Sequence, residues 1–225
     1  MSEKREQLKR IGEADFRELF HKIVYIQPTE KVRISLTKST KICTKNGGFL
    51  AYGYIDSQAG FSFRALCSAD IRNNTLTYGE FHTEAGHIIR KGYVNDCSFL
   101  GVEQFGLDES DFDEHIREYI RAINECYTCS EGTEKMREFT FLDPLRSPDY
   151  PDDIQVILYQ EGLHPEQVWV TCYACTDKEL FGVLLNEPDQ DFGVHTGSII
   201  GFAPVKTDGG LLCVYTGRWL EEQSK

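Results

Sequence analysis

Apolar positions recur along this chain with two different periods, and the change of period marks out its elements. In EADFRELFHKIV, Phe16, Leu19, Phe20, Ile23 and Val24 fall at i, i+3, i+4, i+7 and i+8, the stripe of one helix face. A helix is predicted there, ended by Pro28. KVRISLTKSTKICTK and FLAYGYID then flank Asn46-Gly47-Gly48, and an Asn-Gly pair between apolar runs predicts a hairpin. GFSFRALCSAD and TLTYGEFHTEA follow, joined at Asn73-Asn74. Four strands with short turns read as an antiparallel meander. Helical spacing returns from Ser110, with Phe112, Ile116, Tyr119, Ile120 and Ile123 as the stripe. Ser110 and Asp113 resemble a capping box at its start.

FLDPLRSPDYPDD reads as an extended connector, with three prolines and four acidic residues in thirteen positions. Beyond it the pattern is β: IQVILYQ, QVWVTCYA, LFGVLLN, GSIIGFAPV and LLCVYTG, the last two joined at Asp208-Gly209-Gly210. Five strands in so short a span suggest a small barrel or a strongly bent sheet. The expected fold class is α+β. A helix, a four-strand antiparallel meander and a second helix are followed by a small five-stranded antiparallel sheet or barrel. The expected division is an α+β domain over residues 1–130, a connector over 131–153, and a small acidic β domain over 154–225.

A chain of 225 residues with 40% hydrophobic content is long enough to bury a core without staples. The net charge is −12, and it is unevenly placed. Residues 1–130 hold 17 Lys+Arg against 19 Asp+Glu, whereas residues 131–225 hold 7 against 17. An acidic surface repels phosphate backbones and anionic membranes, so neither nucleic acid nor membrane is expected as a partner. A basic protein is the partner it would suit. No apolar run approaches the ~18 residues that span a bilayer. MSEKREQLKR has no apolar signal region, and a cytoplasmic location is the expectation. The eight cysteines, scattered as they are, read as reduced and mostly buried thiols.

Two constellations suggest chemistry. Cys126-x-x-Cys129 and Cys172-x-x-Cys175 would make a four-thiolate zinc site, but 42 residues separate them. The second pair lies in a strand, where an odd spacing points side chains to opposite faces. His82-Thr83-Glu84 with the later Cys126-x-x-Cys129 resembles the H-x-E and C-x-x-C signature of zinc-dependent nucleobase deaminases. In that reading His82, Cys126 and Cys129 hold zinc and Glu84 moves the proton. Residue 125, however, is Glu rather than Pro. Phosphate-loop, dinucleotide, nucleophile-elbow and H-E-x-x-H motifs are absent. No cofactor is expected.

The stretch LFGVLLNEPDQDFGVHTGSIIGFAPV concentrates usable groups in one turn: Glu187, Asp189, Asp191 and His195. Val168-Trp169-Val170, then Gly182-x-Leu184-x-Asn186-x-Pro188, then Gly197 opening an apolar strand, resemble a family of small bacterial domains of unknown function. Relatives of that family are grouped with immunity proteins of polymorphic-toxin systems. The resemblance covers about residues 150–216. It implies a small antiparallel β domain and no reaction, with Trp169, Gly182, Asn186, Pro188 and Gly197 as its structural motif.

Three functions follow as expectations. The first is a non-catalytic, immunity-like module that binds a basic protein through Glu187, Asp189, Asp191, His195, Asp152 and Asp153. The second is a zinc-dependent hydrolase or deaminase built on His82, Glu84, Cys126 and Cys129. The third is a structural accessory domain.

Overall fold

The structure, a computed structural model, describes residues 8–39, 42, 47–81 and 87–220. The chain divides into two units, Met1–Thr128 and Cys129–Lys225. The class is α+β, with a predominantly antiparallel sheet in the first unit and a closed five-stranded barrel in the second. Among the described residues no helix is long and apolar enough to cross a membrane.

In chain order the first unit carries β1 (Lys9–Arg10), β2 (Ile23–Gln27), α1 (Glu30–Ser39), β3 (Gly48–Asp56), β4 (Gly60–Arg72), β5 (Thr75–Tyr78), β6 (Ile88–Arg90), α2 (Lys91–Val94), β7 (Ser98–Gly101) and α3 (Glu114–Cys126). The sheet runs β1-β7-β2-β3-β4-β5, with β6 also paired to β4. Both faces of its central strands are buried. Phe49, Ala51, Ile55, Phe61, Phe63 and Ala65 share one core with Val32 and Leu36 of α1. Leu50, Tyr52, Tyr54 and Leu66 share the other with Ile116, Ile120 and Ile123 of α3.

The two ends of the predicted meander behave differently. Its last turn is as expected: Asn73 and Asn74 both take positive φ, 49° and 64°, the backbone that a two-residue hairpin needs. Its beginning is corrected. The segment expected to be the first helix forms a short 3-10 turn, Phe16–Glu18, and then β2. Asp15 closes that turn reciprocally with Glu18, and His21 at φ 55° redirects the chain. The segment expected to be the first strand is α1. In it Val32 and Leu36 are buried while Ile34 is exposed, so the i, i+4 pair reaches the core and the alternating pattern does not. The turn at Asn46 lies partly outside the described residues. α3 begins three residues later than Ser110 suggested, because Asp113 is its N-cap and accepts from the Ile116 N–H at 3.1 Å.

The second unit carries α4 (Glu131–Arg137), β8 (Asp153–Leu158), β9 (Glu166–Cys175), β10 (Leu180–Leu184), β11 (Ile199–Thr207) and β12 (Gly210–Leu220). All five expected strands form. They close as β10-β11-β12-β8-β9, and the β12–β8 pairing at Val214–Ile157 is parallel, where an all-antiparallel sheet was expected. Residues 131–153 do more than connect. Ser130 caps α4 by accepting from the Thr133 N–H, and Met136, Leu142 and Leu145 join the barrel core. Gly132 sits so close to β9 that a Cβ would meet the Ala174 Cα at 2.6 Å. The Thr133 hydroxyl donates to the Cys172 carbonyl at 2.9 Å.

A buried ion pair fixes α4. Arg137 donates from Nε and Nη2 to Asp152 at 2.9 and 2.8 Å. Burial alone would depress the Arg137 pKa, but Asp152 outweighs it and holds the pKa above its usual value. Removing one partner of a buried pair costs about 3–5 kcal/mol. Asp152→Ala is therefore expected to destabilise the second unit by about that much. Glu134→Gln, at a half-exposed carboxylate that also pairs with Arg137, is expected to cost under about 1 kcal/mol. Both tryptophans lie in this unit, so urea unfolding followed by their fluorescence checks the contrast. Equal effects of the two substitutions would show that the pair does not hold the unit.

Candidate functional site

Two loops meet at one end of the barrel: residues 159–165, between β8 and β9, and residues 185–198, between β10 and β11. The longer loop is anchored by alternation. Phe192 and Val194 are buried in the barrel core, which turns Asp191, Gly193 and His195 outward. Two backbone bonds close the loop's base, from the Gly197 N–H to the Leu184 carbonyl at 2.8 Å and from Leu184 N–H to the Ser198 carbonyl at 2.9 Å. Gly197 has φ 89°, a conformation that glycine adopts without strain.

Residues of the W-V … G-x-L-x-N-x-P … G pattern come together here, each with a structural task. Asn186 Oδ1 accepts from the Trp169 N–H at 2.8 Å, extending the β9–β10 ladder by one side chain. Gly182 lies at a register shift between β9 and β10, where a Cβ would sit 2.6 Å from the Thr171 carbonyl oxygen. Pro188 is half-buried within the loop.

The polar groups of the loops bind one another. Glu187 accepts from the Thr196 N–H at 2.9 Å and pairs with His195 Nδ1 at 2.6 Å. Glu166, at the start of β9, accepts from the Asp189 N–H at 2.7 Å and from Gln190 Nε2 at 2.6 Å. Gln190 exchanges bonds with the backbone of His164 at 3.0 and 2.9 Å, joining the two loops. Asp191 accepts from the Gly193 N–H at 3.0 Å. The roles of Gln190 and Glu166 were not visible in the sequence, since nothing local marks a side chain that bonds across 24 to 26 residues.

These bonds set the charges. The Thr196 N–H and His195 hold the Glu187 carboxyl below its usual range. The hydrogen bond and charge of Glu187, with Asp191 nearby, raise the His195 imidazole. Gln190 above all lowers Glu166. Counting both loops and Glu166, this end of the barrel carries five carboxylates (Glu161, Glu166, Glu187, Asp189 and Asp191) and no Lys or Arg.

Asp152 and Asp153 do not belong to this surface. Asp152 is buried against Arg137. Asp153 accepts from the Thr171 hydroxyl, and burial raises its pKa, with Asp152 adding to the shift. Net charge along the sequence cannot reveal that both are turned into the unit.

The metal candidates are placed only in part. His82 and Glu84 lie outside the described residues. Cys126 is exposed at the end of α3. Cys129, in the second unit, donates its thiol to Glu134 at 3.2 Å, and burial first of all pushes its pKa up to about 12. Cys172 is buried and Cys175 half-buried, and burial pushes the Cys172 thiol up to about 12. A thiol must lose its proton to ligate zinc, and these surroundings oppose that. Among the described residues no three His, Cys, Asp or Glu side chains are grouped as metal ligands.

No protein-family model matches the chain, and searches of curated proteins and of solved structures return no match.

The His195–Glu187 pair gives a pH window. A raised imidazole contributes fully below its usual 6.5 and is lost as pH rises through its folded pKa. A lowered carboxyl contributes fully above its usual 4.5 and is lost as pH falls through its folded pKa. The pair therefore supports the loop best between about pH 4.5 and 6.5. An NMR titration should place His195 above 6.5, and Glu187→Gln should bring it down. An unchanged His195 midpoint in that variant would show that the pair is not formed in solution.

Proposed function

We propose that the second unit is a non-catalytic protein-binding module that takes a basic partner on the acidic, loop-bearing end of the barrel. In this reading the chain is an immunity-like bacterial protein, as the resemblance over residues 150–216 implies, and it works in the cytoplasm. The observation that carries the proposal is five carboxylates, on two loops that bond to each other and at the adjoining start of β9, with no Lys or Arg within those segments. Glu166 and Glu187 hold backbone N–H groups, and this leaves Asp189 and Asp191 fixed in place with their charge exposed to solvent. A preorganised surface loses little conformational entropy on binding, and a single-sign patch speeds encounter with an oppositely charged protein. The imidazole–carboxylate pair on this surface, His195 with Glu187, is taken up in holding the loop, which favours binding over acid–base chemistry.

The test is capture from native lysate of the producing cell, with the triple variant Glu161→Gln, Asp189→Asn, Asp191→Asn alongside. These carboxylates do not anchor the loop to the barrel, and an amide at 191 still accepts from Gly193. The expected result is a basic protein held by the unaltered chain, and an association rate that falls about tenfold both in the variant and between low and physiological salt. A partner bound equally fast by the variant, or at a salt-independent rate, would overturn the reading.

A further inference from the structure

The first unit holds a group of polar side chains that the fold leaves unmatched. β3 and β4 are antiparallel, with Tyr52 opposite Arg64 and Tyr54 opposite Ser62. Directly opposed residues share a face, so all four lie on the face of the sheet that packs under α3. Tyr52 is satisfied, since its hydroxyl donates to Asn124 at 2.9 Å. Ser62 is satisfied, bonding to the Gly60 carbonyl and accepting from Arg90 at 2.6 Å. Arg90 in turn pairs with Asp56.

Tyr54 and Arg64 are different. Tyr54 is 1% exposed, and its hydroxyl, fully buried, has no hydrogen-bond partner. The Tyr127 ring lies 4.4 Å from the Tyr54 ring between centroids. The Arg64 Nε is likewise buried and unpartnered. Among the described residues Arg64 makes no ion pair and no side-chain hydrogen bond, and its guanidinium has only the Tyr119 ring face, 6.0 Å away. The half-buried arginine is thus left without an anion. Burial above all raises the Tyr54 pKa and keeps the phenol protonated, the Tyr127 phenol adds to the shift, and the positive charges of Arg64 and Arg90 oppose it.

A buried polar group without a partner is costly, and two of them lie on this one face of the sheet. Both unmatched groups are donors, and Arg64 brings beside Tyr54 a positive charge that no ion pair among the described residues offsets. A water would satisfy hydrogen bonds but not charge. A guanidinium fork and a phenol O–H match the oxygens of a carboxylate or phosphate.

We propose that Arg64 and Tyr54 form a binding site for an oxyanion, carboxylate or phosphate, on the α3-covered face of the first sheet. The aromatic rings of Tyr119 and Tyr127 flank it, so the oxyanion is carried on a small or flat group.

The full chain is titrated with inorganic phosphate and, separately, with benzoate, each against chloride at equal ionic strength. The Arg64 Nε–H resonance and the thermal midpoint are the readouts. One of the two probes is expected to shift that resonance and raise the midpoint saturably, with a Kd of about 1 mM or tighter. Response to phosphate alone assigns a phosphate ligand, and response to benzoate alone assigns a carboxylate. Tyr54→Phe removes an unmatched hydroxyl and should fold as well as the original, yet weaken binding about tenfold. Arg64→Gln should abolish binding. No shift of the Arg64 resonance with either probe, a shift equalled by chloride, or undiminished binding by Tyr54→Phe would overturn the proposal. None of these outcomes depends on the acidic end of the barrel.

Discussion

Arg137 and Asp152 meet through two hydrogen bonds inside the second unit, where neither charge is tolerable alone, and the placement of α4 follows from that. A seven-residue helix has no stability of its own in water. It persists because its C-terminal arginine is locked to the residue that precedes β8, its N-cap serine and Thr133 reach β9 carbonyls, and Gly132 lets the backbones touch. Arg146 repeats the device, with its guanidinium on Asp143 and on the Pro151 and Met136 carbonyls. Three contacts of different kinds hold one short helix against the Cys172–Ala174 end of β9.

Because β9 runs from Glu166 to Cys175, α4 and the acidic loops occupy opposite ends of the same strand. One end is closed by a helix and two buried arginines, with their charges neutralised internally. The other is built from loops in which, among the described residues, His195 is the cation that pairs with a carboxylate. Some of these carboxylates serve as backbone acceptors. Glu166 and Glu187 are to their loops what an N-cap is to a helix, satisfying N–H groups that would otherwise need water. The charge left over on Glu161, Asp189 and Asp191 therefore sits on a frame whose geometry does not depend on it.

The parts of this fold legible in the sequence are those fixed by neighbours. Asn73-Asn74 and Asp208-Gly209 mark two-residue turns because their backbone requirement is local, and all five barrel strands could be read from alternation. Residues 13–39 could not. Val32, Ile34 and Leu36 fit a strand, Val32 and Leu36 fit a helix, and only the position of the core decides. α4 was hidden because Met136 is the one apolar side chain in its seven residues, too few to show a period. At the site, the sequence located the loop and its exposed acids but overcounted them. Asp152 looks like any other acidic turn residue until Arg137, fifteen positions earlier, is seen to face it.

The same accounting of partners separates the arginines of the two units. Arg137 and Arg146 are buried and fully engaged, so their burial is explained within the chain. Arg64 sits on a strand whose central face has to be apolar, because α3 covers it and presents isoleucines there. A leucine or valine at that position would fit the core and remove an uncompensated charge, and replacing buried charge by well-packed apolar groups is often stabilising. Tyr54 carries the same contradiction, since phenylalanine would fill its space without a hydroxyl to satisfy. Two such departures from core logic on facing strands, both donors without an acceptor among the described residues, are accounted for together if the acceptor comes from outside the chain.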